Sequence, residues 1–169
     1  AVDASPILTR ACAHHPVPQP TVLADAAALP LPSGVADLVV AFMSLHDIDG
    51  YQEAISEAAR VLVTGGRLCV AIVHPINSAG QFEGERHDVD GPFVIRGSYL
   101  SPFRYADSLE KAGLTMTFHS FHRPLETYSR GLESAGFLME AIREVTDDNP
   151  ADRWHRVPLF LHLRARRTG

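Results

Sequence analysis

Thr21–His46, TVLADAAALPLPSGVADLVVAFMSLH, reads as two buried strands joined by a short loop, each stopping on residues suited to holding a ligand. Thr21–Ala24 is a short β-branched and apolar run that ends on Asp25, and Val35–Ala41 is a longer one that runs into Phe42, Met43, Ser44, Leu45 and His46. Leu29, Pro30, Leu31, Pro32, Ser33 and Gly34 supply the turn chemistry between them. Any helix joining the two strands must be very short, around Asp25–Leu29. Polar groups placed where apolar strands end suit the mouth of a parallel α/β sheet, because ligands bind outside the carboxyl ends of such strands.

The segments on either side extend this pattern. Ala1–Asp3 reads as the tail of a strand ending on a carboxylate, and Ser5-Pro6 then suits an N-cap and a first helical position. Ile7, Leu8, Ala11 and Cys12 recur at helical spacing, with His14 and His15 in the last turn and Pro16, Pro18 and Pro20 as a stiff connector. Downstream, Asp49 and Gln52 fit a capping box. Tyr51, Ala54, Ile55, Ala58, Val61 and Leu62 form the apolar stripe of a helix that Gly65 and Gly66 end. Arg67–Val73, RLCVAIV, is the nearly continuous apolar run of a strand buried on both faces, and it stops on His74-Pro75. Strand, helix and strand from Val35 to Val73 make a βαβ unit.

Residues 76–124 read as an insertion or cap over the ligand mouth. Glycines, Pro92 and the charges Glu83, Glu85, Arg86, Asp88 and Asp90 mark an exposed loop. Alternation at Phe93–Tyr99 and Leu114–His119 predicts two antiparallel strands, with a short helix near Tyr105–Lys111 between them. Leu125, Tyr128, Leu132 and Ala135 form another helical stripe closed by Gly136, and Leu138–Val145 and Val157–Ala165 form two strands. The link between those last strands, TDDNPADRWHR, has no helical pattern and is too short for a crossover, so the pair is expected to run antiparallel.

Composition sets the limits. At 169 residues, 46% hydrophobic and 21% charged, the chain suits one soluble domain. A net charge of −5 gives no electrostatic reason to expect nucleic acid, and Arg164, Arg166 and Arg167 read as a solvated basic tail. No apolar run is long enough to span a membrane, and no leader pattern opens the chain, so a cytoplasmic location is expected. Cys12 and Cys69 do not make a disulfide framework.

Together these segments resemble the class I S-adenosylmethionine-dependent methyltransferases, specifically the small-molecule group. The resemblance rests on Val2-Asp3-Ala4-Ser5-Pro6, on Asp25 to Pro32, on Asp37-Leu38-Val39-Val40 running to Leu45-His46, and on Ala58 to Leu62. It continues through Gly65-Gly66-Arg67-Leu68, Phe121 to Leu125 and Ala135-Gly136-Phe137. It implies an α/β fold: a doubly wound, Rossmann-like sheet, mostly parallel with a C-terminal antiparallel hairpin. It implies S-adenosylmethionine as cofactor and transfer of its methyl group to a small-molecule acceptor by in-line displacement. Asp3, beside Ala4, would hold the ribose hydroxyls, Asp25 and Ala26 the adenine, and Phe42 and Met43 the methionine part near the sulfonium. Asp25 could instead serve as an Asx-type turn cap, and Asp37 is better read as ordering a turn.

Three histidines, His46, His74 and His122, stand at strand ends or helix entrances and are the candidates for catalysis, since imidazole titrates near working pH. Arg123 and Tyr128 are the candidates for contact with the acceptor, a guanidinium being able to grip a carboxylate or phosphate. No metal is expected: His46-Asp47 is a weak doublet, and His119 and His122 would face one way only in a helix. In the family a glycine-rich turn precedes the ribose carboxylate by roughly 20 residues, and the first strand is central in the sheet. Both fall outside this sequence, so the strands ending at Asp3 and Ala41 are expected to lack a partner between them, as in a portion of a longer protein. A nicotinamide dehydrogenase shares the carboxylate after its second strand, but the closing antiparallel pair and Asp25 favour the methyltransferase. A protein of the same fold without catalysis, acting as a binding module, is the alternative from another class.

Overall fold

The computed structural model describes residues 1–15, 17, 20–85, 87–111 and 114–169. Pro16 and Pro18 of the expected connector, and Arg86 of the expected loop, lie outside them. The chain runs β1 (Val2–Asp3), α1 (Pro6–Ala13), β2 (Val22–Leu23), β3 (Ala36–Phe42), α2 (Tyr51–Val61), β4 (Leu62–Val73) and α3 (Pro75–Ala79). It continues through β5 (Gln81–Phe82), β6 (Phe93–Val94), β7 (Phe103–Lys111), β8 (Leu114–His122), α4 (Leu125–Ser134), β9 (Phe137–Val145), a single 3₁₀ turn (Arg153–His155) and β10 (Phe160–Arg167).

The main sheet has the order β3-β4-β10-β9. β3 and β4 run parallel, as the helical crossover through α2 requires, and β10 lies antiparallel between β4 and β9. Leu68, Val70 and Ile72 of β4 stand opposite Ala165, Leu163 and Leu161 of β10 and share the inner face. Ala54, Ile55 and Ala58 of α2 and Tyr128 and Leu132 of α4 complete this core. The outer face carries the arginines that read as a tail. Arg164 and Arg166 lie within β10, and with Arg67 they surround Glu140 at 3.1, 3.3 and 2.9 Å, holding its carboxyl below the usual range.

β1 and β2 form a separate parallel pair. A cavity of about 320 Å³ lies between that pair and the main sheet, lined by Ala1 and Val2 on one side and by Leu38–Ala41 on the other. Among the described residues β3 has a strand partner on its β4 side only, as the resemblance led one to expect. The reading of two buried strands is corrected here. Val22 and Leu23 are both exposed, and Leu38, Val40 and Phe42 are 55%, 60% and 72% exposed, because no described layer covers the outer face of β3.

Other expectations change as well. Tyr105–Lys111 is strand rather than helix: β7 pairs with β8 in unbroken register from Phe103↔His122 to Lys111↔Leu114. Phe93–Val94 pairs with Gln81–Phe82 instead of with β8. The capping box does not form; Gly50 is the N-cap of α2, and the Asp49 carboxylate accepts from Arg104 at 2.6 Å. α1 ends at Ala13, leaving His14 as its C-cap. α2 ends at Val61, so Gly65 (φ +83°) shapes the irregular opening of β4 rather than the helix end. Residues 25–29 form only a turn, and the link after β9 does contain a helical turn, capped by Asp152.

Candidate functional site

Asp3, Asp25 and Met43 stand at the ends of β1, β2 and β3. Asp3 Oδ1 accepts from the Ser5 amide at 2.7 Å, and its carbonyl accepts from Ala24 at 3.1 Å, which ties it to the end of β2. Asp25 Oδ1 accepts from Ala27 at 2.9 Å in an Asx turn. The turn-cap role set against a ligand role is therefore present, and it also holds the exposed carboxylate in one orientation. Ala4 is exposed and Ala26 half-buried. Ala26 and Ser44 line the same cavity, so the ends of β2 and β3 open on one space. Met43 is at φ +48°, the one described residue other than glycine in the left-handed region. Such backbone persists where its surroundings hold it, here through Met43 N–H donating to Ala71 at 2.8 Å, and it gathers at ligand sites.

Asp3 and Asp25 are thus two oriented carboxylates with acceptor oxygens at neighbouring strand ends, while Phe42 exposes its ring beside Val40 on the outer face of β3. The glycine turn for the methionine end is not among residues 1–169.

The three histidines differ. His74 is the N-cap of α3: its Nδ1 accepts from Ile76 N–H at 3.0 Å, so its Nε2 carries the proton and donates to Glu144 at 3.1 Å. His122 is fully buried, with Nε2 2.8 Å from the Tyr99 carbonyl and Nδ1 2.8 Å from Ser78 Oγ. Both rings are fully engaged. His46 is 4% exposed, its Nε2 lies 3.4 Å from Asp47 Oδ1, and its Nδ1 has no partner among the described residues. Burial holds its pKa below the ordinary 6.5, with Asp47 raising it and Arg123 lowering it further. Asp47 in turn accepts from Ser120 Oγ at 2.6 Å. Behind Ser120 lies Tyr105, its hydroxyl pKa pushed up to about 12, chiefly by burial.

Arg123 is buried rather than presented to a ligand. Its guanidinium donates to the carbonyls of Leu45 (3.3 Å), Ile48 (2.7 Å) and Asp49 (3.4 Å) and is sandwiched between Tyr51 and Phe121, 4.4 Å from each ring. Tyr128 is likewise buried, and its ring meets Tyr51 edge-on at 6.1 Å. Both are packed beneath the loop after β3 and the start of α2. Ser120, Ser78 and Glu144 carry no signal in the sequence, and Asp47 stood out there only as half of a weak metal doublet, because each matters through a partner more than 40 residues away or through a neighbour's ring orientation.

Among the described residues, no three His, Cys, Asp or Glu side chains gather as a metal site, and no helix is long and apolar enough to cross a membrane.

Residues 1–70 match the methyltransferase domain family. A curated relative, the malonyl-[acyl-carrier protein] O-methyltransferase of Hahella chejuensis, is 30% identical over 153 residues, which is 88% of this chain and 52% of that protein. The chain thus spans about half the length of that relative. Among solved structures, an S-adenosylmethionine-dependent methyltransferase of Mesorhizobium loti matches at a TM-score of 0.75 and 24% identity, over 98% of this chain and 78% of that one. The 1,6-didemethyltoxoflavin-N1-methyltransferase of Burkholderia thailandensis, solved with S-adenosylhomocysteine, matches at 0.55 and 15%, over 100% and 60%. Both structural likenesses speak for the fold.

Proposed function

We propose that the chain is a class I S-adenosylmethionine-dependent methyltransferase, as the match of residues 1–70 and the 30% identical relative support, and that the protein methylates a small-molecule acceptor, with His46 taking the acceptor's proton. The observation that carries this reading is the placement of Asp3, Asp25 and the strained Met43 at three strand ends, two of which open on one cavity. The name of the curated relative, an O-methyltransferase, favours oxygen as the accepting atom.

The cofactor, when bound, supplies a methyl group on a sulfonium, open to in-line displacement. The chain's own part is to orient and to move a proton. Asp3 and Asp25 hold the nucleoside. His46 Nε2 faces Asp47, which fixes the proton there and leaves the Nδ1 lone pair free. Burial keeps the ring neutral at pH 7, the state a base requires. Arg123 acts as a positioning residue through the carbonyls of Leu45 and Ile48 on either side of it.

Calorimetry with S-adenosylhomocysteine tests the cofactor site. Asp3→Ala and Asp25→Ala are each expected to weaken binding about tenfold or more, as loss of a charged hydrogen-bond partner does. His46→Ala should leave that affinity alone and lower turnover on the order of 100-fold. Unchanged affinity in both aspartate variants would remove the nucleoside assignment. A second reading, a binding module of the same fold without catalysis, predicts that the folded chain takes up no S-adenosylhomocysteine.

A further inference from the structure

Within residues 78–103 lies a second cavity of about 350 Å³, lined among others by Ser78, Gln81, Val94, Arg96, Ser98 and Phe103. Its polarity follows from a chain of forced donors. The Tyr99 carbonyl can only accept, so His122 Nε2, 2.8 Å away, carries the ring proton. His122 Nδ1 is therefore a bare lone pair. Ser78 Oγ lies 2.8 Å from it and 3.2 Å from the Pro75 carbonyl. Turning the hydroxyl hydrogen toward Pro75 would set two lone pairs against each other at 2.8 Å, so the hydrogen goes to Nδ1. The ring cannot swing to another arrangement, because it is fully buried and stacked 4.8 Å from Phe103. Ser78 consequently offers the cavity acceptor lone pairs and no proton. Arg96, the cation on the wall, is already paired with Glu83, so the cavity carries no unmatched charge that would call for an anion. Phe103 and Val94 supply apolar surface.

We propose that this cavity is a subsite for a neutral molecule with a hydroxyl or N–H group on an apolar body, recognised through that donor by Ser78, which His122 holds in place. Joined to the methyl-transfer reading, on which this last step rests, the subsite belongs to the acceptor. An alcohol, phenol or amine then suits it better than a carboxylate.

Phenol and its methyl ether anisole, matched in ring and differing in the donor, are the probes, followed by amide shifts of Ser78, Gly80 and Gly97 in the full chain without cofactor. Phenol is expected to bind about three- to tenfold more tightly, the worth of one hydrogen bond. Ser78→Ala should bring the ratio to about one, and Ser78→Thr, which keeps the hydroxyl, should retain it. Equal affinities in the wild type, a preference that survives Ser78→Ala, or no shifts with either probe at tens of millimolar would each overturn the proposal. Because no cofactor is present, these outcomes are independent of the S-adenosylhomocysteine measurement. Failure there with success here leaves the subsite and removes only its link to methyl transfer.

Discussion

His46, His74 and His122 were legible as candidates because each follows an apolar strand or precedes a helix. Which of their ring nitrogens is free was not legible, since that depends on Glu144, Ser78, Tyr99 and Asp47 arriving from elsewhere in the fold. The same burial that leaves His46 as a base has a consequence for stability. Burial holds both His46 and His74 below the ordinary 6.5, against the pull of Asp47 and Glu144. The unfolded chain therefore takes up protons first as pH falls. Stability that is fully present above pH 6.5 should decline below it, continuing down through the folded values. His74→Asn keeps an N-cap acceptor for Ile76 and removes one of the titrating groups. Urea unfolding at several pH values should show a shallower acid decline in that variant. An equally steep decline would place the dependence on other groups.

β7 is where local preference misled. Tyr105–Lys111, YADSLEK, carries good helix formers, but nine residues pair with β8 in register, and cross-strand partners outweigh a difference in propensity that is small per residue. The hairpin is then fastened to the loop after β3 by Phe121 N–H to His46 O at 2.9 Å, by Ser120 to Asp47 and by Arg123. Arg123 joins most of these parts, and its residue type could be read in advance only as a free cation. Arg123→Met should cost on the order of 3 kcal/mol, since it strips buried carbonyls of a charged donor. Arg123→Lys should recover only part of that, because an ammonium cannot span Leu45, Ile48 and Asp49 between two rings. Arg104→Ala, which breaks an exposed pair with Asp49, should cost less than about 1 kcal/mol. Denaturant midpoints rank the three variants. An Arg123→Met variant as stable as wild type would show that water replaces the guanidinium.

The mixed sheet was legible in outline: the helical crossover from β3 to β4 demanded a parallel pair, and the short link from β9 to β10 demanded an antiparallel one. That β10 inserts between β4 and β9 followed only from the family's strand order, 3-2-1-4-5-7-6, which puts the last strand between the fifth and sixth; local pattern could not give it, because Val70↔Leu163 and its neighbours are pairings almost 100 residues apart. The slot beside β3 is the main physical consequence of the arrangement. Leu38, Val40 and Phe42 form an apolar row on a strand whose other edge has no described partner, the kind of surface that invites edge-to-edge association. The 169-residue chain should therefore bind a hydrophobic dye and scatter light increasingly with concentration. Val40→Lys places a charge in the middle of the row, where the wild-type side chain is already 60% exposed and has little packing to lose. Scattering should fall and the melting temperature should stay within a few degrees, as for a surface substitution of about 0.5 kcal/mol or less. If another segment lay in the slot against β3, the sign would reverse: lysine would then be buried against it and the melting temperature would drop markedly. Scattering that does not change on Val40→Lys, with the melting temperature also unchanged, would show that association runs through a different surface.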